Sequence, residues 1–223
     1  PLPEAQAHYV SNVMRLKAGA ALRLFNGRDG EWTGTLAAVS KKGCTVAVQA
    51  QSKPQEPAPD VWLAFAPIKR ARIDLVAEKA TELGASVLWP VFTQHTNAER
   101  INTGRLRATA IEAAEQCERL TVPEVREATA FDQFIAAWPQ DRRLFVLDET
   151  GGGQPLARVA AETATRPCGF LVGPEGGFAQ SELDALSHLP FVTRVGLGPR
   201  ILRAETAALA ALVCWQSLAG DWK

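Results

Sequence analysis

Residues 168–178, CGFLVGPEGGF, join a short apolar run to a glycine-rich loop. Two further segments show the same pattern of an apolar run followed by a glycine-containing loop. RLFVL precedes DETGGG at 148–153, and FVTRV precedes GLGPRILR at 196–203. Continuous apolar runs of this length predict buried strands of a parallel sheet. Ligands of open α/β sheets lie outside the carboxyl ends of the strands, and glycines there let backbone groups approach a ligand closely. The three loops therefore predict one shared pocket.

None of the three loops is a phosphate-binding fingerprint. The chain contains no GxxxxGK[ST] motif, and GLG at 196–198 supplies only the first two glycines of GxGxxG, because Ile201 stands at the third position. A Rossmann dinucleotide site is therefore disfavoured. Glycines needed only for tight turns would explain any one loop, but a common pocket explains all three together better.

The apolar runs alternate with helical patterns along most of the chain. Strands are predicted at Val61–Phe65, Val87–Phe92, Leu144–Leu147, Phe170–Val172 and Val192–Leu197. Helices are predicted over 73–83, with Gly84 as the C-cap, over Arg105–Leu120 and over Arg203–Leu218. This alternation predicts an α/β domain with a mostly parallel sheet.

A different pattern precedes residue 61. Residues 51–60, QSKPQEPAPD, contain three prolines and no large apolar side chain, which is typical of a linker. Before them, runs with β-branched or aromatic members predict strands at Leu22–Phe25, Trp32–Val39 and Cys44–Val48, separated by glycine turns. We expect a small β-rich domain at 1–57 and an α/β domain at 58–223.

The charges balance in total, with 24 Lys and Arg against 24 Asp and Glu. This balance excludes a protein that coats nucleic acid by bulk charge. Residues 1–57 nevertheless carry seven Lys and Arg against four Asp and Glu, a net charge of +3, so the remainder carries −3. A basic β-domain favours an arm that guides a polyanion onto an enzyme, although so small an excess also arises by chance.

Cysteine and histidine usage argues against a metal site. The four cysteines are far apart, no CxxC occurs, and the three histidines are scattered. Each cysteine stands among apolar or small residues, which predicts reduced thiols packed inside a protein of the reducing cytoplasm. No apolar run approaches the ~18 residues that a membrane span needs.

The two C-terminal motifs, GPEGGF followed by Glu182-Leu183 and LGPRILRAETAAL at 197–209, resemble the SPOUT, or knotted, RNA methyltransferases. Other segments narrow the resemblance to the small-subunit ribosomal RNA methyltransferase E family. They are HYV at 8–10, VMRL at 13–16, LFNG at 24–27, EKATELG at 78–84, AEQC at 114–117, Arg119 and VPEV at 122–125. The resemblance covers residues 2–218.

This resemblance implies a fold, an activity and partners. The fold is a PUA-like β-barrel followed by a SPOUT domain, a mostly parallel α/β sheet with a C-terminal trefoil knot. The activity is methylation of N3 of a uridine in 16S ribosomal RNA with S-adenosylmethionine, in maturation of the small ribosomal subunit. The protein would be a cytoplasmic homodimer without a metal.

The chain departs from the family pattern at a few positions. Family members carry a further stretch before the LPEAQAH-like segment at 2–8, so the first strand of the barrel is expected to be missing here. They often have Gly where Glu118 stands, and an Arg-Ser pair near Gln94–Thr96. The resemblance therefore says less about RNA contacts at those places.

The resemblance also implies where the cofactor binds. Cofactor-binding residues are expected at Leu147, Glu149, Gly173, Glu175, Gly176, Gly177, Leu197, Gly198, Ile201, Leu202 and Thr206. Backbone groups of the three loops would hold most of the cofactor.

Catalytic residues follow from the chemistry of uridine, whose N3 must lose a proton before it attacks. Arg203 follows the cofactor loop and is expected to hold the uridine oxygens and stabilise their negative charge. Glu115 is the candidate general base. Plainer interpretations are an Arg203–Glu205 surface pair and a solvated helix face around Glu115. Lys79 and Glu82 are most simply a helix pair.

RNA recognition requires the target nucleotide to be turned out of its helix, because N3 is buried in a base pair. Gln116 and Arg119 would shape the pocket for that nucleotide from the same helix as Glu115. Further RNA contacts are expected at Arg15, Arg23, Arg28, Lys41, Lys42, Lys69, Arg70 and Arg72.

Two other functions are compatible with parts of the sequence. The GPRILR loop alone would also allow a knotted methyltransferase that acts on transfer RNA or on a ribose 2′-hydroxyl. From a different class, the basic β-domain would suffice for a non-catalytic RNA-binding or ribosome-assembly factor, although the intact cofactor motifs disfavour that function.

Charge reversal at Arg15 or Arg23 is expected to weaken RNA binding and to flatten its salt dependence, because each phosphate contact releases counterions. Binding of 16S ribosomal RNA between about 50 and 200 mM salt measures this effect. An unchanged salt slope would contradict a guiding role for the β-domain.

Overall fold

The computed structural model describes residues 1–40, 43–162 and 166–222. Its contacts divide the chain into two compact units, 1–57 and 58–223. Lys41 and Lys42, two of the expected RNA contacts, lie outside the described residues, as does the side chain of Arg70. That the first unit binds RNA stays a prediction.

The first unit is a three-stranded antiparallel sheet preceded by a short helix. Its elements are α1 (Glu4–His8), a π-helical turn (Tyr9–Val13), β1 (Ala21–Phe25), β2 (Glu31–Ser40) and β3 (Gly43–Lys53). The strands lie in the order β1-β2-β3. A small core forms around the fully buried Leu36 with Ala7, Val10 and Cys44. All three predicted strands are present.

The third strand continues into the predicted linker. Lys53 pairs with Glu31 and Gln51 pairs with Trp32 across the β2–β3 ladder. Because β2 offers backbone partners up to this point, the chain stays in the sheet and the linker shortens to 54–60.

Glu31 is a buried carboxylate of the first unit. Its Oε1 accepts a hydrogen bond from Ser52 Oγ at 2.8 Å, and its Oε2 lies 3.8 Å from Arg23 Nη1 and 4.0 Å from Lys53 Nζ. Arg23 therefore also serves the fold, because a buried carboxylate that loses a cation is destabilising. The exposed Arg15 is the cleaner position for charge reversal.

The second unit contains a parallel sheet with helices packed on it. The strands are β4 (Val61–Phe65), β5 (Val87–Phe92), β6 (Glu124–Val125), β7 (Thr129–Ala130), β8 (Arg143–Leu147), β9 (Gln154–Pro155), β10 (Cys168–Val172) and β11 (Val192–Gly196). The helices are α2 (Arg70–Glu82), α3 (Thr103–Gln116), α4 (Phe131–Ala137), α5 (Leu156–Glu162), α6 (Gln180–Ser187) and α7 (Ala204–Leu218).

Strand pairing in this unit confirms the predicted α/β sheet. The order is β6-β5-β4-β10-β8-β11-β9, with β7 beside β5. Among the described residues, every pairing in this sheet is parallel. The trefoil knot stays a prediction.

Both faces of the sheet are covered, which explains the continuous apolar strands. Phe145 and Phe170 pack into a core that includes residues of α2, α3, α5 and α7. Their neighbours Leu144, Val146 and Leu171 pack into a second core with residues of α4 and α6. Since successive side chains of a strand point to opposite faces, a strand between two helical layers buries side chains on both faces, which favours apolar residues at successive positions.

Helix α3 ends at Gln116 and not at the predicted Leu120. Glu118 has a φ of +58°, Glu118 N donates to Glu115 O at 3.4 Å, and Arg119 N donates to Ala114 O at 3.0 Å. This is a Schellman motif with glutamate in the left-handed position that glycine usually occupies. The backbone therefore explains why a glycine would fit where Glu118 stands.

The cysteines are free, but they are not all inside. Cys44 and Cys168 are buried, Cys214 is partly buried and Cys117 is exposed. Burial raises the pKa of the Cys168 thiol to about 12. The prediction of four packed thiols is wrong for Cys117, because α3 ends just before it.

No helix among the described residues is long and apolar enough to cross a membrane.

Glu118→Gly is expected to raise the free energy of unfolding by about 1 kcal/mol, because glycine avoids the Cβ penalty of the left-handed conformation. Urea denaturation measures the change. Glu118→Ala is the matched control, since it removes the carboxylate but keeps the Cβ. A glycine variant no more stable than the alanine variant would contradict this account of the helix end.

Candidate functional site

The three glycine-rich loops line one cleft of about 700 Å³ at the carboxyl ends of β8, β10 and β11. Expected cofactor residues on its wall are Leu147, Glu149, Gly173, Glu175, Gly177, Leu197, Gly198, Ile201 and Leu202. Gly176 and Thr206 are not on the wall, although they adjoin it in sequence. The structure also places Arg72 and Arg203 on the wall. The predicted shared pocket is therefore present as a geometric feature.

Asp148 anchors the first loop. Its buried carboxylate accepts hydrogen bonds from Thr150 N at 2.9 Å, from Thr150 Oγ1 at 2.7 Å and from Arg194 Nε at 2.9 Å. Burial by itself would raise the pKa of Asp148, but the hydrogen bonds from Thr150 and the Arg194 guanidinium outweigh it and lower the pKa below its usual value. Because Arg194 belongs to β11, this network joins the first loop to the strand before the third.

A tight turn forms the second loop. Gly177 N donates to Pro174 O at 3.0 Å, and Gly177 has a φ of +69°. A Cβ at Gly177 would overlap the carboxylate of Glu149, which would have to move, and the positive φ of this position itself favours glycine. His95 Nδ1 lies 3.1 Å from Gly176 O, which connects the turn to the loop after β5.

Glu182 links the segment that follows the second loop to the segment after β5, and the sequence analysis did not predict this role. Its buried carboxylate accepts from Ala179 N at 2.9 Å and from Gln94 N at 2.8 Å. One contact caps the start of α6, and the other attaches the chain after β5. A Glu three residues after the N-cap is a helix-start signal, but the contact with Gln94 spans 88 positions and leaves no local pattern.

The third loop presents apolar and cationic groups at the cleft. Gly198 has a φ of +104°, and a Cβ there would meet nothing within 4 Å. Ile201 is 82% exposed, which is unusual for so large an apolar side chain. Arg200 and Arg203 are also exposed, and Arg203 is the N-cap of α7. An apolar ligand surface would cover Ile201 favourably.

Glu205 forms an ion pair with Arg72 and not with Arg203. Arg72 Nε lies 3.3 Å from Glu205 Oε1, and Arg72 Nη1 lies 3.9 Å from Glu175 Oε1. Arg203 forms no ion pair with any residue in the described part of the chain. The plainer interpretation of Arg203 as the partner of Glu205 is therefore wrong, and its guanidinium faces the solvent.

The proposed base and its neighbours lie away from this cleft. Glu115 and Gln116 are at the C-terminal end of α3 and are not on the cleft wall. Burial, and then repulsion from Glu112, raises the pKa of Glu115. Arg119 Nη1 donates to Thr81 O at 2.8 Å, so this half-buried side chain holds the end of α3 to α2. The structure thus gives Arg119 a packing role, and its expected contact with RNA stays a prediction.

Lys69, just before α2, and Lys79, within α2, have different surroundings. Lys69 is exposed just before the helix, where it is free to meet a ligand. Lys79 Nζ lies 2.8 Å from Glu82 Oε1 and 2.7 Å from Glu78 Oε1, which confirms the predicted helix pair. In residues 1–40, 43–162 and 166–222, no group of three or more His, Cys, Asp or Glu side chains could hold a metal ion.

Comparisons with known proteins match both parts of the chain. A family model described as the RNA methyltransferase domain matches residues 54–216, and one described as the RNA methyltransferase PUA domain matches residues 2–49. A relative from Rickettsia conorii named ribosomal RNA small subunit methyltransferase E is 34% identical over 205 residues, which is 92% of this chain and 84% of the relative.

Solved structures show the same similarity. A ribosomal RNA small subunit methyltransferase E from Neisseria gonorrhoeae, bound to S-adenosyl methionine, superposes with a TM-score of 0.89 at 26% identity and covers all of this chain and 92% of that one. A putative methyltransferase from Legionella pneumophila, in complex with the same cofactor, gives a TM-score of 0.79 at 28% identity and covers 97% of this chain and 90% of that one.

Proposed function

Since this chain belongs to the ribosomal RNA small subunit methyltransferase E family, we propose that it methylates N3 of a uridine in 16S ribosomal RNA, with S-adenosylmethionine as the methyl donor. The observation that carries the proposal is the single cleft lined by three glycine-rich loops. The small ribosomal subunit would be the substrate, and the protein would work in the cytoplasm as a homodimer.

The cleft suits the donor in size and chemistry. Its volume of about 700 Å³ lies within the range of small-molecule sites. Leu147, Leu197 and Ile201 offer apolar surface for an adenine ring, and the open space at Gly198 leaves room beside the backbone. The carboxylate of Glu149 can only accept hydrogen bonds when ionised, which suits ribose hydroxyls.

S-adenosylmethionine supplies a methyl group on a positively charged sulfur. The N3–C bond forms as the C–S bond breaks, the electron pair of that bond stays on sulfur, and the N3 proton leaves to a base or to water. Arg203 can donate hydrogen bonds to the uridine oxygens, where the negative charge of the deprotonated base collects. Alignment of the two reactants by the cleft supplies several kcal/mol more.

Glu115 is too far from the cleft to act as the general base within one copy of the chain. It stands thirteen positions after Asn102, so the rise of an α-helix separates it by about 20 Å from the end of α3 nearest the loops. A catalytic role for Glu115 would therefore require a second copy of the chain to bring it to this cleft. Gln116 shares this condition.

A methylation assay tests the proposed function. Undermethylated small ribosomal subunits and naked 16S ribosomal RNA are incubated with S-adenosylmethionine, and the nucleosides are identified by mass spectrometry. Recovery of 3-methyluridine supports the proposal and shows which substrate is used. A 2′-O-methylated nucleoside, or methylation of transfer RNA alone, would support the related methyltransferases. No product and no binding of S-adenosylmethionine in calorimetry would support an assembly factor.

Gly198→Ala is expected to weaken S-adenosylmethionine binding at least tenfold, because the strained backbone shifts within the cleft wall. Calorimetry measures the Kd. Gly19→Ala is the matched control: Gly19 has a φ of +93°, with equally open surroundings, but lies in the first unit. Both variants should lose similar stability. Equal affinity in both variants would remove Gly198 from the donor site.

Arg203→Ala is expected to lower the rate of methyl transfer at least tenfold while the Kd for S-adenosylmethionine changes less than twofold, because Arg203 would stabilise charge on the uridine only. Single-turnover kinetics at saturating RNA measure the rate. Arg158→Ala, which removes an exposed arginine paired with Glu162, is the control. Unchanged turnover of Arg203→Ala would exclude it from the chemistry.

A further inference from the structure

A second cleft, of about 970 Å³, opens at the carboxyl ends of β4 and β5. Buried apolar side chains line part of it, among them Ile68, Ile73 and Leu106. Exposed polar groups line its rim, among them Asn97 and Arg100. The first and third glycine-rich loops do not line this second cleft, and the second loop contributes one residue to it.

That residue is Glu175, which lines both clefts. It belongs to the tight turn after β10, and its carboxylate pairs with Arg72. The two clefts therefore adjoin, and Glu175 stands at their boundary. A molecule in the second cleft would lie next to the methyl donor in the first, which is the arrangement that direct transfer between two reactants requires.

The charges of the second cleft suit a phosphodiester. Lys69 and Arg100 are exposed on its wall, and neither forms an ion pair with a residue in the described part of the chain. Arg105 differs, because Asp74 neutralises it through bonds of 2.9 Å from Nε to Oδ1 and 2.6 Å from Nη2 to Oδ2. Two cations thus remain available for the phosphates beside a bound nucleotide.

Its remaining chemistry suits a nucleobase. An extruded base needs an apolar surface to replace its stacking partners and hydrogen-bonding groups for its edge. Ile68, Ile73 and Leu106 supply the apolar surface, and the exposed amide of Asn97 can donate to a uracil carbonyl. The cleft is also large enough for a nucleotide with part of its neighbours.

We propose that the second cleft holds the target uridine nucleotide after it has turned out of the RNA. The apolar wall packs against the base, Lys69 and Arg100 contact the adjoining phosphates, and N3 points across Glu175 towards the methyl donor. This assignment rests on the proposed function, since it takes RNA as the substrate and the first cleft as the donor site.

Filling the cleft tests the assignment. Ala98→Trp places an indole on the wall of the second cleft, and Ala108→Trp places the same ring on an exposed part of α3 that does not line it. Ala98→Trp is expected to lower kcat/KM for undermethylated small subunits at least tenfold, with the Kd for S-adenosylmethionine within twofold of the wild type. Ala108→Trp should leave both values within twofold. Wild-type kcat/KM in Ala98→Trp would overturn the proposal.

A charge reversal tests the phosphate contact separately. Arg100→Glu is expected to raise KM for the subunit about tenfold and to reduce the salt slope of RNA binding by about one phosphate contact. Arg158→Glu makes the same change of charge at an exposed site outside both clefts. Equal effects of the two variants would show that only net charge matters and would contradict a specific contact.

The design separates failure of the cleft from failure of the activity. If the wild type transfers no methyl group to subunits or to 16S ribosomal RNA, the proposed function is wrong. Equilibrium binding of 16S ribosomal RNA then tests whether the second cleft contacts RNA. Weaker binding by both Ala98→Trp and Arg100→Glu than by their controls would support the second cleft as an RNA site. Unchanged binding would show that the second cleft is not an RNA site.

Discussion

Parallel pairing of β8 with β10 and with β11 is the constraint on which the site depends. Parallel strands end at the same edge of a sheet, so the loops that follow these three strands must meet there. Helical layers cover both faces of the sheet and bury β10 completely and β8 apart from Arg143. Each loop therefore needs only local adjustments to form the wall of one cleft.

Those adjustments are made by buried or half-buried charges. Asp148 binds Arg194 of β11, Glu182 binds the backbone of Gln94, and Arg72 lies between Glu175 and Glu205. Each pairing joins segments that are distant in sequence. These contacts position the loops relative to one another. Arg203 and Arg100 differ from these charged groups, because both are exposed on the walls of the clefts.

Much of this architecture could be predicted because burial leaves a direct trace in composition. The predicted strands Val61–Phe65 and Val87–Phe92 match the structure, since burial of both faces of a strand favours apolar residues at successive positions. Helix α4 (Phe131–Ala137) escaped prediction, because seven residues are too few to show a helical period. The end of α3 was also missed, because Glu118 adopts a left-handed conformation that glutamate rarely takes.

By itself the sequence determined the five longer strands of the parallel sheet and the common cleft formed by the loops after three of them, because these follow from local apolar runs and glycines. Only the tertiary structure decided the partners of the charged residues. In the structure, Glu205 pairs with Arg72, Arg119 donates a hydrogen bond to the carbonyl of Thr81, and Glu115 lies far from the glycine-rich loops. The tertiary structure also formed the second cleft, whose wall combines segments after β4, β5 and β10. Which distant segments meet depends on how the helices and strands pack together, and the residues around each contact do not specify its partner.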